Sequence, residues 1–134
     1  MIVYIFLLLN IIFSQAHAMD IIITLDQQSF PAKLADNPTS RDLYNHLPLT
    51  LPLDDFAHEK IASLDKRLSI EQAPSHYQGK ANDITYYAPW GNLAIFYGGG
   101  PNAKGLIFLG RFQEDVRDVL PHARTIRIEK VTEK

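Results

Sequence analysis

From Ile21 onward the chain is cut into short runs of β-branched and aromatic residues separated by turn formers, and this spacing limits the fold more than any single motif does. Strand-like runs fall at residues 20–25, 29–34, 48–53, 57–64, 84–88, 93–98, 106–112 and 124–131, about eight in all, with partial alternation of period two. In the last run Ile126 and Ile128 alternate with Arg127 and Glu129, as in a sheet with one wet face. Many short antiparallel strands of this kind predict a mainly β chain, closed into a barrel or packed as a sandwich.

Two short helices are expected between the strands. Thr39-Ser40-Arg41-Asp42 has the form of a capping box, and Leu43 and Leu47 follow one turn apart before Pro48. A second helix is expected from Glu114 to Leu120, with acids in its first turn, an apolar face of Val116, Val119 and Leu120, and Pro121 as terminator. Each would cover one end of a barrel. The longest irregular stretch, Ser69 to Asn82, exceeds a hairpin turn and has the length of a functional or mobile loop.

Residues 1 to 18, MIVYIFLLLNIIFSQAHA, contain no Asp, Glu, Lys or Arg. The apolar run from Ile2 to Phe13 is too short for the roughly 20 residues of a spanning helix, and Ala16-His17-Ala18 places small residues as a signal peptidase requires. The expectation is a signal peptide cleaved after Ala18, a globular domain over residues 19–134, no stable membrane anchor after cleavage, and a periplasmic or secreted protein. Translation beginning at Met19 is the alternative, and would make the protein cytoplasmic. The absence of cysteine suits either compartment, because a domain of this size folds without disulfides. With 13 basic against 15 acidic residues and no basic cluster, the chain lacks the electrostatic footprint of a nucleic-acid binder.

Four separated motifs then occur in order: DNPTSRDLYNHLPLTLPLDDF (36–56), EKIASLDKRLS (59–69), GKANDITYYAPWGNLAIFY (79–97) and KGLIFLGRF (104–112). Together they resemble the small bacterial cyclophilin-like family over nearly all of residues 19–133. The resemblance implies a closed, eight-stranded, cyclophilin-like β-barrel with two short capping helices. It implies less about activity. Cyclophilins isomerise X–Pro bonds with an arginine in an F-H-R motif, and no such motif occurs here. Fold alone does not carry function.

The segment DITYYAPWGNLAIFYGGG, residues 83–100, holds the only tryptophan and is the strongest candidate for a site. Ile84, Tyr86 and Ala88 project to one side of a strand, Thr85 and Tyr87 to the other, so one tyrosine of the pair is expected inside. Pro89-Trp90-Gly91-Asn92 reads as a hairpin connection, which exposes Trp90 and Asn92. Flat rings with one polar atom suit a groove that grips an apolar or planar ligand. The candidates for binding a peptide or small molecule are Tyr86, Tyr87, Trp90, Asn92, Phe96 and Tyr97, with Arg67 and Arg111 as cations able to orient a carboxylate or carbonyl. Aromatic residues at strand spacing are ordinarily core, and strand arginines ordinarily face water.

Other chemistries fail on pattern. In Gly98-Gly99-Gly100-Pro101-Asn102-Ala103-Lys104-Gly105 the lysine precedes its glycine and a strand follows, so a phosphate loop is excluded in favour of a flexible hairpin loop. His46, His58, His76 and His122 show no metal-ligand spacing, and Asp54, Asp55, His58 and Glu59 read as a solvated acidic turn; no metal or cofactor is expected. Neither a cysteine nor a nucleophile elbow is present, and the adjacent Ser75-His76 does not by itself present a base to a hydroxyl. The reading is a ligand- or peptide-binding barrel. Its alternatives are a prolyl isomerase with a non-standard site and a protein-interaction domain without a ligand.

Overall fold

The computed structural model describes residues 19–132. The signal peptide expected over residues 1–18, and with it the compartment, lies outside the described residues. Strand β1 (Met19–Leu25) turns through Asp26 and Gln27 into β2 (Gln28–Leu34). Its apolar alternation has the expected result: Ile21, Ile23 and Leu25 are buried in the barrel. Asp26 adopts a positive φ of 55°, and its carboxylate accepts hydrogen bonds from the N–H groups of Arg124 and Thr125, tying this turn to the last strand.

Helix α1 spans Pro38–Asn45 and starts earlier than the capping-box reading allows. Asn37, not Thr39, is the cap: its Oδ1 accepts from the Ser40 N–H at 2.8 Å, and Pro38 occupies the first turn, where a missing N–H costs nothing. Asp42 reaches out of the helix instead, accepting from the Ser69 N–H at 2.7 Å. Leu43 is fully buried and plugs one end of the barrel, as its place on the apolar stripe predicts.

After the helix come β3 (Leu49–Pro52), β4 (Asp54–Phe56), β5 (Glu59–Ser63), β6 (His76–Gln78), β7 (Asp83–Tyr87), β8 (Asn92–Phe96), β9 (Asn102–Lys104), β10 (Leu106–Phe112) and β11 (Thr125–Lys130). Nine of the eleven strands form one sheet in the order β3-β11-β1-β2-β10-β7-β8-β5-β4. Its two edge strands are consecutive in the chain, joined only through Leu53, whose N–H donates to the Arg124 carbonyl. Counted with β3 and β4 as one bent stave, the nearly closed barrel has the eight staves expected. The bend arises where Pro52 ends the first half and Leu53 turns inward to 8% exposure.

Two further expectations are corrected. Residues 114–120 form no α-helix; they run as turns that end in a short 3-10 turn at Leu120–His122. Asp115 folds onto Arg117 through backbone and guanidinium bonds, while the Asn82 side chain takes up the Val116 N–H, so local side-chain partners displace the helical ladder over a segment too short to nucleate well. Val116 and Leu120 are nevertheless fully buried and close the second end. The other correction concerns the two supposed loops, 69–82 and 98–105: they pair with each other as the antiparallel β6–β9 ribbon, with Tyr77 opposite Ala103.

Candidate functional site

Cross-strand register assembles the site on the outer face of the barrel. Phe56, Glu59 and Phe96 face one another in a row across β4, β5 and β8, and Leu106, Tyr87 and Asn92 do so across β10, β7 and β8. Because β-strand side chains alternate, the neighbours of these residues, Ile84, Tyr86, Leu93, Ile95 and Ile107, fill the interior. Ala94, Phe96 and Leu106 form a second, smaller core outside the lumen, against which Tyr77 and Ala103 of the ribbon pack. The ribbon comes so near that a Cβ on Gly79 or Gly100 would stand 2.6 or 2.8 Å from the Phe96 ring.

What remains between ribbon, β4 and the β7–β8 turn is a groove of about 280 Å³, walled by Phe56, Tyr87 and Trp90 with Phe96 and Leu106 beneath. Trp90 meets Tyr87 at 5.3 Å and Phe56 at 5.2 Å between ring centroids, both nearly perpendicular, the edge-to-face arrangement that aromatic quadrupoles favour. Gly91, at a φ of 67°, lets the turn fold back, and its N–H bonds to the Tyr87 carbonyl. The turn is thus Ala88–Gly91, one residue earlier than the sequence suggests, and Asn92 is a buried strand residue rather than an exposed turn residue.

Two polar groups belong to the groove. The Asn92 side chain, 3% exposed, donates from Nδ2 to the Leu93 carbonyl, which orients the amide and leaves Oδ1 buried with no partner among the described residues. Glu59 forms no ion pair among the described residues, and burial pushes its carboxyl above the ordinary value. Among the described residues no Lys or Arg lines this groove. Larger depressions exist elsewhere, one of about 450 Å³ at the Asp26–Gln28 turn, but it lacks such a combination of rings and an unpaired buried acceptor.

Of the eight candidate residues the structure brings Tyr87, Trp90, Asn92 and Phe96 together and places four elsewhere. Tyr86 is interior, its hydroxyl accepting from the Leu68 N–H. Tyr97 turns away and donates to the Ala57 carbonyl. Arg67 braces the turn, donating from Nη1 to the Ala88 carbonyl at 2.8 Å. Arg111 is held by the fully buried Asp83, through Nε at 2.8 Å and Nη2 at 2.7 Å. The Tyr77 hydroxyl donates to the same carboxylate at 2.6 Å; burial and then this bond push its pKa up to about 12. Arg111 and Tyr77 therefore clamp the ribbon to β7. Ser75 Oγ and His76 Nδ1 lie 2.7 Å apart, closer than adjacency alone implies, but the pair is exposed and His76 makes no second side-chain hydrogen bond among the described residues.

Phe56, Glu59, Pro101, Ala103 and Leu106 were not legible as groove residues. Phe56 and Glu59 sit in what reads as an acidic turn, and only the pairing of β5 with β4 on one side and β8 on the other turns them toward Trp90.

The solution structure of the hypothetical protein AF2241 from Archaeoglobus fulgidus is similar to this barrel, with a TM-score of 0.65 at 15% sequence identity, over 89% of this chain and 99% of that one. At that identity the likeness is one of fold. Among curated proteins none matches the chain. A model of the cyclophilin-like family matches residues 23–129, a span that takes in all or part of every strand of the barrel, both of its closed ends and all the groove residues, and the chain belongs to the cyclophilin-like family.

Proposed function

We propose that the protein binds a small ligand or an apolar peptide side chain in the groove beneath Trp90. The observation that carries this reading is the exposure of two large aromatic residues, Trp90 at 54% and Phe56 at 47%, in edge contact with each other above an apolar floor. Exposed rings of this size contribute little to the fold. They are clustered where a groove already exists, as in binding sites built from apolar walls and a few polar groups. Proline isomerisation has weaker support, since it needs a donor at the substrate amide and both candidate arginines are engaged outside the groove.

The test uses Trp90, the only tryptophan, as reporter. Free protein should show partly polar emission that acrylamide quenches readily. In a screen of small aromatic and apolar fragments, a subset should shift that emission and protect it from the quencher, and Trp90→Phe should weaken their binding measured calorimetrically. A screen in which no fragment perturbs Trp90 would overturn the proposal.

A further inference from the structure

We infer that the groove selects a small amine, with an aromatic or alkyl body under Trp90, a protonated nitrogen at the Glu59 end and a hydrogen-bond donor at the Asn92 end. This rests on the reading of the groove as a binding site and names the chemistry of its occupant. The polar character of the walls is one-sided. Among the described residues Asn92 contributes an acceptor that has no partner and Glu59 a carboxylate without a counter-ion, and Asp54 faces the same way as Glu59 through its pairing with Ile61. The nearby cations are committed: Lys60 Nζ is 2.6 Å from the Asp55 carboxylate, and Arg67 holds the Ala88 carbonyl.

A buried acceptor left unpaired costs free energy that a donor on a ligand would recover. A carboxylate half withdrawn from water is likewise stabilised by a cation, and the burial that raises its pKa strengthens that attraction. The three rings act in the same sense, because their faces carry negative quadrupole density that attracts ammonium groups and does not favour anions. Size sets the rest. Glu59 pairs with Phe96 and Ser63 with Asn92, so the two acceptors are four residues apart along β8, about 13 Å at a rise of ~3.3 Å per residue. A ring with a short chain, together with a hydrogen bond at each end, is of that order of length, and a volume of about 280 Å³ suits such a molecule.

Three probes of nearly equal shape separate the contributions: tyramine, with a donor at each end; phenethylamine, with the ammonium alone; and 3-(4-hydroxyphenyl)propionate, with the phenol and a negative charge. Titrations followed by the Trp90 indole N–H resonance should rank them in that order, with phenethylamine at least tenfold tighter than the acid. Glu59→Gln, checked for an unchanged amide spectrum, should bring amine and acid within about threefold. If the acid binds wild type as tightly as the amines, or the preference survives in Glu59→Gln, the inference falls while the groove remains a binding site. If tyramine gains nothing over phenethylamine, the role given to Asn92 falls. Tighter binding of N-acetyl-Gly-Lys-Gly-amide than of phenethylamine would overturn the assignment to a small molecule. Silence from all probes, together with silence in the fragment screen, would remove both readings.

Discussion

Trp90 touches Phe56 and Tyr87 by ring edges and stays more than half exposed, whereas Tyr86, four residues before it, is enclosed and hydrogen-bonded. Their truncations should therefore differ in kind. Trp90→Ala is expected to cost about 1 kcal/mol, the scale of its aromatic pairings, and Tyr86→Ala about 3–5 kcal/mol, the scale of a core cavity. Urea melts of the two variants against wild type make the comparison, and a core-sized loss at Trp90 would count against an open groove. Tyr77 offers a pH test. Its folded pKa of about 12 lies above the ordinary value of 10.0, so its contribution to stability is fully present below pH 10 and is lost as pH rises through 12. Tyr77→Phe should be less stable than wild type at pH 8, and the gap between their urea midpoints should close toward pH 12; a gap that is constant or widens would contradict the Asp83 bond as its cause.

Glycines at the level of the strands and loops have unequal roles. A Cβ on Gly110 would lie 2.1 Å from the Lys33 carbonyl oxygen, at the bulge where the pairing of β10 with β7 shifts register between Phe108 and Gly110 and where Gly110 stands opposite Leu34 of β2. Backbone meets backbone there and cannot yield as a side chain does. Gly110→Ala is accordingly expected to cost about 1–3 kcal/mol or more by overpacking, whereas Gly99→Ala, with no atom of the described residues within 4 Å of the added one, should leave the thermal midpoint nearly unchanged. Equal midpoints for the two variants would refute the close approach. The triple glycine looks uniform in sequence, yet its members do different things: Gly99 faces open space while Gly100 makes room for Phe96. Similarly, a Thr-x-x-Asp box and an acidic start to residues 114–120 are real helix signals. They lost to Asn37 and Asp115, whose side chains found backbone partners nearer at hand.

The whole barrel sets where charge can act. Arg67 supports a turn and Arg111 a ribbon, so no arginine reaches the groove beside Trp90. A protease-coupled assay on an X–Pro peptide should give a rate close to the uncatalysed one, which relaxes over roughly tens to hundreds of seconds. Strong catalysis that disappears in Arg67→Ala or Arg111→Ala would place a working site where the geometry shows structural contacts.

Alternation along β1 and β11, the turn residues between runs and the apolar positions Leu43, Val116 and Leu120 all report burial that each residue experiences through its own strand or turn, so the mainly β class, the number of staves and both barrel ends were legible locally. The inward and outward assignment of Tyr86 and Tyr87 was legible in part, since period two separates the faces without saying which faces in. The groove was not. Phe56 and Glu59 reach Trp90 through strand pairings more than 30 residues apart in sequence, and the two loops that cover Phe96 become a ribbon only by pairing with each other. Register between distant strands depends on how the entire sheet closes, a property no local window of residues contains.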